Sequence, residues 1–279
     1  MSNRTGRDKD VKMNRMRGAL AEVWKYRSVL KSLVTTDLKQ RYSDIVGGLF
    51  WSVVHPLVLI FIYTFVFSVV LRVRVSSVGG HLGYGIFLFS GMLPWMVIQE
   101  SVSRATGVFF EQRDVLRHVS LPNYIVPLFP VLSGFLHHLF ALLVFLIIVS
   151  VLGYEISGLI ILLLPSFVAL LVFAGAMAVI VAGFNVYWRD TGPFAQALLW
   201  IVFFATPIVY PLEIVPVRWR WVLEINPLTQ LVGLYRSALF GLDPPGLLKI
   251  AYLFVWAVLA IALTSWVFSR LNRDLTDYL

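Results

Sequence analysis

Long apolar runs, each closed by prolines, glycines or charges, set the rhythm of this chain. Six of them, roughly 48–71, 84–110, 123–152, 158–185, 193–210 and 247–269, qualify as bilayer-crossing helices, which need about 20 mainly apolar residues. The second is the least clean. Pro94 interrupts it, and Glu100 and Arg104 stand four residues apart, a spacing at which a helix can pair them. A long helix with a charged end emerging from the membrane fits that pattern.

Between the runs the pattern changes character. In residues 17–41, Leu20, Val23, Leu30, Val34 and Leu38 fall near one helical face, with Lys25, Arg27, Lys31 and Lys39 mostly away from it. That predicts an amphipathic helix lying in the membrane interface, serving as an anchor or as a docking surface for a partner. EQRDVLRHVSLPNY (111–124) mixes charge with Val115, Leu116, Val119 and Leu121 and stops at Pro122, which predicts a short surface helix. NVYWRDTGP (185–193) predicts a tight turn carrying Arg189 and Asp190.

ATPIVYPLEIVPVRWRWVLEINPL (205–228) is too broken for a spanning helix and too apolar for a solvated loop. Pro207 and Pro211 end the fifth run, and Pro216 can open a short helix with Arg218, Trp219, Arg220 and Trp221 at headgroup level. Asn226–Pro227 is an N-cap followed by a first-turn proline, and Gly241 is a stop after Phe240. The helix between them, about 20 Å long, is too short to cross a core of about 30 Å. It reads as part of a re-entrant or interfacial helix pair, or as a plain aromatic belt.

Composition agrees with the pattern. Hydrophobic residues are 59% and charged ones 14% of 279, with a mean hydropathy of +0.82. Soluble domains carry about 25% charge, so the chain reads as an all-α integral membrane protein. No signal-peptide pattern opens it, and the absence of cysteine excludes disulfides and thiolate metal sites. The division expected is an N-terminal region, 1–46, followed by a six-span domain, 47–279. Lys and Arg sort unevenly: 17 fall on the side of the termini and six on the other, namely Arg72, Arg74, Arg218, Arg220, Arg236 and Lys249. Positive residues stay inside, which places both termini in the cytoplasm and the 205–241 segment outside.

No phosphate-binding GxxxxGK[ST] loop, metal-ligand spacing or HExxH or GxSxG motif occurs. The apolar cores of the spans hold no Asp or Glu, which argues against an ion-driven carrier. His55, His137 and His138 are the midplane candidates, read as hydrogen-bonded packing residues rather than proton relays. Gly175 with Ala178, or Gly47 with Gly48, can bring helices close.

DLKQRYSDIVGGLFWSVVHPLVLIFIYTFVF (37–67), FSGMLPWMVIQESVSRA (89–105), NVYWRD (185–190) and the 205–228 stretch together resemble ABC-type-2 permeases that export surface polysaccharides, the Wzm/TagG group. The likeness runs from about residue 20 to 270, and O-antigen-type exporters of lipid-linked glycans are the best comparison. It implies a homodimer in the cytoplasmic (inner) membrane, paired with two cytoplasmic ATPase subunits that bind ATP and Mg, and a glycan channel between the permeases. The chain itself would then be no enzyme and carry no cofactor. The resemblance further implies ATPase coupling through Arg113, Asp114, Arg117 and His118, completed by Arg189, Asp190 and the amphipathic helix. The outer helix pair, with Arg218, Trp219, Arg220 and Trp221, would be the gate. Aromatic residues are 15%, and sugar rings stack on them without fixed hydrogen bonds; the pathway residues expected are Trp51, Tyr63, Phe67, Trp200, Phe203 and Phe204. Arg72 and Arg74 would meet either a diphosphate or, the preferred reading, lipid headgroups. The alternatives are an ABC-type-2 permease for teichoic acid, capsule, drug or lipid, and, less well matched, a secondary carrier or a membrane sugar transferase.

Overall fold

The computed structural model describes residues 24–43, 54, 58, 61–63, 65–70, 83–118, 121–241 and 246–271. The described residues form helices and turns. In chain order the α-helices are α1 (Arg27–Ser43), α2 (Gly83–Ala105), α3 (Val108–Glu111), α4 (Arg113–His118), α5 (Leu128–Val151), α6 (Leu163–Tyr187), α7 (Thr191–Phe204), α8 (Val217–Glu224), α9 (Pro227–Phe240) and α10 (Leu247–Leu271). A π-helical turn covers Phe65–Val70, and short 3-10 turns lead into α5, α6 and α8.

Among the described residues, four helical stretches are long and apolar enough to cross a membrane: Gly83–Ala105, Asn123–Val151, Ile160–Tyr187 and Leu247–Leu271. These match the second, third, fourth and sixth runs. The second ends earlier than 110, because the chain turns at Thr106–Gly107 before α3. The first run, 48–71, falls largely outside the described residues. The fifth is corrected: α7 has 14 residues and stops at Phe204, with Ala205 as its C-cap. At 1.5 Å per residue that is about 21 Å.

Helix α2 is the axle of the bundle. It stays helical through Pro94, and 18 of its 23 residues are buried among α5, α6, α7 and α9. Helix α6 packs on α10, α2 and α5. Its buried Ala174, Gly175, Ala178, Ala182 and Gly183 keep the surfaces close, as a membrane interface requires when lipid is as apolar as the side chains. A Cβ on Gly183 would stand 3.0 Å from Leu271 Cδ1. Helix α10 buries only Leu253, Ala257 and Phe268 of 25 residues, so most of its apolar surface faces outward.

Amphipathic α1 lies against α5. Leu30 and Val34 are buried and Leu38 packs on the same core, while Lys25, Arg27, Lys31 and Lys39 are exposed. The described part of the predicted face is the one that docks, while Leu20 and Val23 lie outside the described residues.

Candidate functional site

Polar chemistry concentrates at the two ends of the bundle. At the α1 end, Asp37 of α1 holds both Nη atoms of Arg104 on α2, and Ser133 of α5 donates to the same carboxylate. Glu100 lies 3.6 Å from Arg104, so the i,i+4 partner suggested by the sequence is the lesser one. Arg104 also sits over the Phe129 ring, 5.8 Å from its centroid. A bidentate, charge-assisted pair of this kind fixes orientation as well as contact. It ties α1 to α2 and α5, a role that spacing along one helix could not reveal.

The segments at this end are joined by side-chain hydrogen bonds. Asn185 Nδ2 donates to the Thr106 carbonyl at 2.5 Å, Gln196 Nε2 donates to Ser103 Oγ at 2.6 Å, and Tyr187 donates to the Leu271 carbonyl at 2.5 Å. Val108 and Phe109 are the buried residues of α3. These contacts bring the α3–α4 segment and the NVYWRD turn together. Arg113, Asp114, Arg189 and Asp190 are all exposed there, and no ion pair joins Arg189 to Asp190. For Arg117 and His118 the helical backbone is described but the side chains are not.

At the opposite end the chain is broken and repaired. After α7, residues 205–211 leave the helix, yet Thr206, Pro207, Ile208, Val209 and Pro211 are buried. Irregular backbone at membrane depth is tolerated only where protein satisfies its polar groups. Arg236 of α9 does most of that. Its Nη1 donates to the Pro207 carbonyl at 2.8 Å, and its Nη2 to those of Ile208 at 2.9 Å and Phe87 at 3.2 Å. The guanidinium stacks 3.5 Å from the centroid of the Phe87 ring. Tyr84 donates to the Val209 carbonyl at 2.7 Å, and Asn226 Nδ2 reaches the Ala205 carbonyl at 3.2 Å and Thr206 Oγ1 at 2.9 Å. Arg236, counted above with the loop charges, is thus a buried structural cation, which leaves five Lys or Arg on that side.

The helix pair predicted over 216–240 is present. Pro216 caps α8. Asn226 Oδ1 accepts from the Leu228 amide at 3.0 Å, Pro227 opens α9, and Gly241 closes it with a left-handed φ of 69°. Arg218, Trp219 and Trp221 are exposed, and Arg218 lies 5.8 Å from the Trp219 centroid. Arg220 instead braces the turn before α8, donating to the carbonyls of Val215 at 2.9 Å and Glu213 at 2.7 Å. Helix α9 buries ten of its 14 residues, whereas α8 buries none. His138 of α5 meets Tyr235 of α9, Nε2 to hydroxyl, at 2.9 Å, inside a cluster with Phe135 and Phe167. That is the packing role expected for it.

The expected pathway aromatics do not share one environment. Trp200 and Phe204 are 58% and 57% exposed on α7, whereas Phe203 is 4% exposed and packs on Trp95 at 5.4 Å. Tyr63 packs at the core margin. Trp51, His55, Arg72 and Arg74 lie outside the described residues, as does the side chain of Phe67. No cluster of His, Asp and Glu able to hold a metal is found among the described residues.

Comparison with known proteins agrees with this architecture. An O-antigen export system permease protein RfbA of Klebsiella pneumoniae is 26% identical over 246 residues, covering 88% of this chain and 91% of the relative. A second from the same organism is 26% identical over 237 residues, covering 85% and 88%. The RfbA of Myxococcus xanthus is 27% identical over 248 residues, covering 86% and 93%. The profile of the ABC-2 type transporter family matches residues 28–240, a span that includes nearly all of the docked helix α1, the axle α2 and the α8–α9 hairpin, and the chain belongs to that family.

Proposed function

We propose that this chain is the transmembrane subunit of an ATP-driven exporter that carries lipid-linked polysaccharide, of O-antigen type, across the cytoplasmic membrane. Two copies form the channel, and two separate cytoplasmic ATPase subunits hydrolyse ATP. The α1 end faces the cytoplasm. The observation that carries the reading is the joining of α1, the α3–α4 segment and the NVYWRD turn at one end of the bundle. An ATPase stroke delivered there reaches α2 directly, and α2 contacts α9 at the other end.

Helix α7 supports the homodimer. Phe194, Trp200, Ile201 and Phe204 are 57–69% exposed, and a helix of about 21 Å does not cross a membrane by itself. A second copy covering this face would place Trp200 and Phe204 beside the channel, while Phe203 remains in the core. The hairpin α8–α9 then forms the re-entrant outer gate, with Trp219 and Trp221 at headgroup level.

Depletion of the chain in its host, followed by extraction of lipid-linked glycans, tests the reading. Polymer should accumulate on its lipid inside while the surface loses it, and mass spectrometry then identifies the glycan. Unchanged pools on both sides would remove polysaccharide as the cargo and favour another substrate of the same family, such as a drug or lipid.

A further inference from the structure

Helix α1 meets the bundle with one side only. Leu30 and Val34, exposed by 4% and 7%, belong to the core and pack toward α5. Asp37 turns the same way, to Arg104 and Ser133. The described apolar face is therefore occupied by protein and does not enter lipid, as it would in a helix anchored by insertion. What α1 offers to its surroundings is the other side.

That side carries one sign of charge. Lys25, Arg27, Lys31 and Lys39 are exposed, and none of them is in an ion pair among the described residues. Asp37 is the one acid between Trp24 and Ser43, and it faces inward. Trp24 is 69% exposed; the Arg27 guanidinium lies 4.8 Å from its ring centroid, and Arg27 Nη1 donates to its carbonyl at 3.0 Å. An indole beside cations suits the headgroup level of a membrane. Depth along the bundle agrees. Asp37 meets Arg104 in the last turn of α2 and Ser133 in the second turn of α5, both within stretches apolar enough to span. Helix α1 thus lies level with the ends of two spans, on the flank of the bundle, where headgroups stand. The α3–α4 segment and the NVYWRD turn instead follow the ends of α2 and α6, where a cytoplasmic subunit would arrive.

We propose that the outward face of α1 is a binding surface for anionic phospholipid headgroups. Lys25, Arg27, Lys31 and Lys39 take the phosphates, and Trp24 packs beside them at headgroup depth. The uniform sign decides the class. A zwitterionic headgroup brings an ammonium for which this face has no carboxylate, and its phosphate gains correspondingly less from the cations. A neutral sugar would leave the cations uncompensated. Bound lipid holds the outward side of α1 while Asp37 and Arg104 hold the inward side. The surface is the same whatever cargo the channel carries, and its test needs no transport.

Native mass spectrometry of the purified full chain tests it, with phosphatidylglycerol and phosphatidylcholine of matched acyl chains as probes. Phosphatidylglycerol should be retained about tenfold over phosphatidylcholine, and the preference should shrink as ionic strength rises. Lys31→Gln with Lys39→Gln should lower that preference about fivefold, the scale of one basic residue at an anionic surface. Lys31→Arg with Lys39→Arg should keep it, because charge is what the lipid reads. Arg218→Gln with Lys249→Gln, exposed cations at the opposite end, should leave it unchanged. Thermal unfolding of each variant in uncharged detergent without lipid should match the parent's. Equal retention of the two lipids by the parent, or an equal loss from the Arg218 and Lys249 changes, would overturn the proposal. Lipid preference left intact by the glutamine changes at 31 and 39, with binding of an ATPase subunit lost, would overturn it in favour of a protein-docking surface.

Discussion

A guanidinium inside a membrane bundle is costly unless its N–H groups find acceptors. Arg236 finds three carbonyls, all left available by departures from regular helix or by a shared acceptor on α2. Lysine carries a compact ammonium rather than a planar fork and cannot reproduce that geometry. Arg236→Lys is expected to destabilise the purified protein by about 2–4 kcal/mol, read as a lowered thermal midpoint in detergent; an unchanged midpoint would show that the carbonyls do not depend on it. Gly91 permits the arrangement, because a Cβ there would stand 2.8 Å from Arg236 Nη2 and 3.3 Å from Val232 Cγ1. Gly91→Ala should therefore cost about 1–3 kcal/mol by overpacking, measured in the same way. At the other end, Asp37 and Arg104 bind α1 to the bundle. A double-mutant cycle with Asp37→Asn and Arg104→Gln should give a coupling of about 0.5–3 kcal/mol, whereas additive losses would mean that the pair does not hold α1.

Among the elements, α7 and α9 carry the most information because both are short. Each has 14 residues, and each ends where the chain must turn at the far side of the bundle. Asn226 serves both: it caps α9 through Leu228 and reaches back to the carbonyl of Ala205, the C-cap of α7. Losing a cap of this type costs about 1 kcal/mol, and here a contact to the broken segment goes with it. Asn226→Ala should thus destabilise by more than Asn226→Asp, which keeps the cap and loses only the amide donor. Equal losses from the two changes would mean that the bridge to Ala205 contributes little. Helix α10 differs in kind: its partner is α6 along small residues, and its outward face is left to lipid.

At the scale of the whole molecule, the two polar ends are connected through α2, which reaches from Tyr84 beside the broken segment to Arg104 beside α1. If the α1 end receives an ATPase, Asp114→Ala and Arg189→Ala should leave the chain inserted and stable while lowering ATP-dependent export. Full export from the double variant would sink that assignment. The chain has no native cysteine, so Trp219→Cys and Trp221→Cys can be labelled alone. Both side chains are exposed and should react with an impermeant thiol reagent added from outside. Reaction only from the cytoplasmic side would invert the topology along with the gate.

Much of this was legible in residue order. Apolar run length located the four long spans, the alternation of apolar and basic positions found the buried face of α1, and Asn226, Pro227 and Gly241 marked both ends of α9, because caps and periodicity are local chemistry. Where the fifth run stops was not legible, since Val209 is as apolar as any span residue while its backbone is no longer helical. Arg236 looked like a loop charge, and Glu100 and Arg104 looked like each other's partners. The first reading is overturned, and the second holds in part, since Glu100 does stand 3.6 Å from Arg104; what neither could show are the deciding acceptors, 28 to 149 residues away for Arg236 and 67 for Arg104. Phe203, next to exposed Phe204, is buried for the same cause, its neighbour Trp95 lying on another helix. The sequence by itself determined which segments are apolar, where the capped helix α9 starts and stops, and which positions of α1 are basic and exposed, because hydrophobic transfer and capping act within a few residues. Only the tertiary structure decided which charges are buried, which carbonyls they satisfy, and that the broken segment 205–211 is held by α9 and α2, because low-dielectric pairing joins groups wherever the fold brings them together.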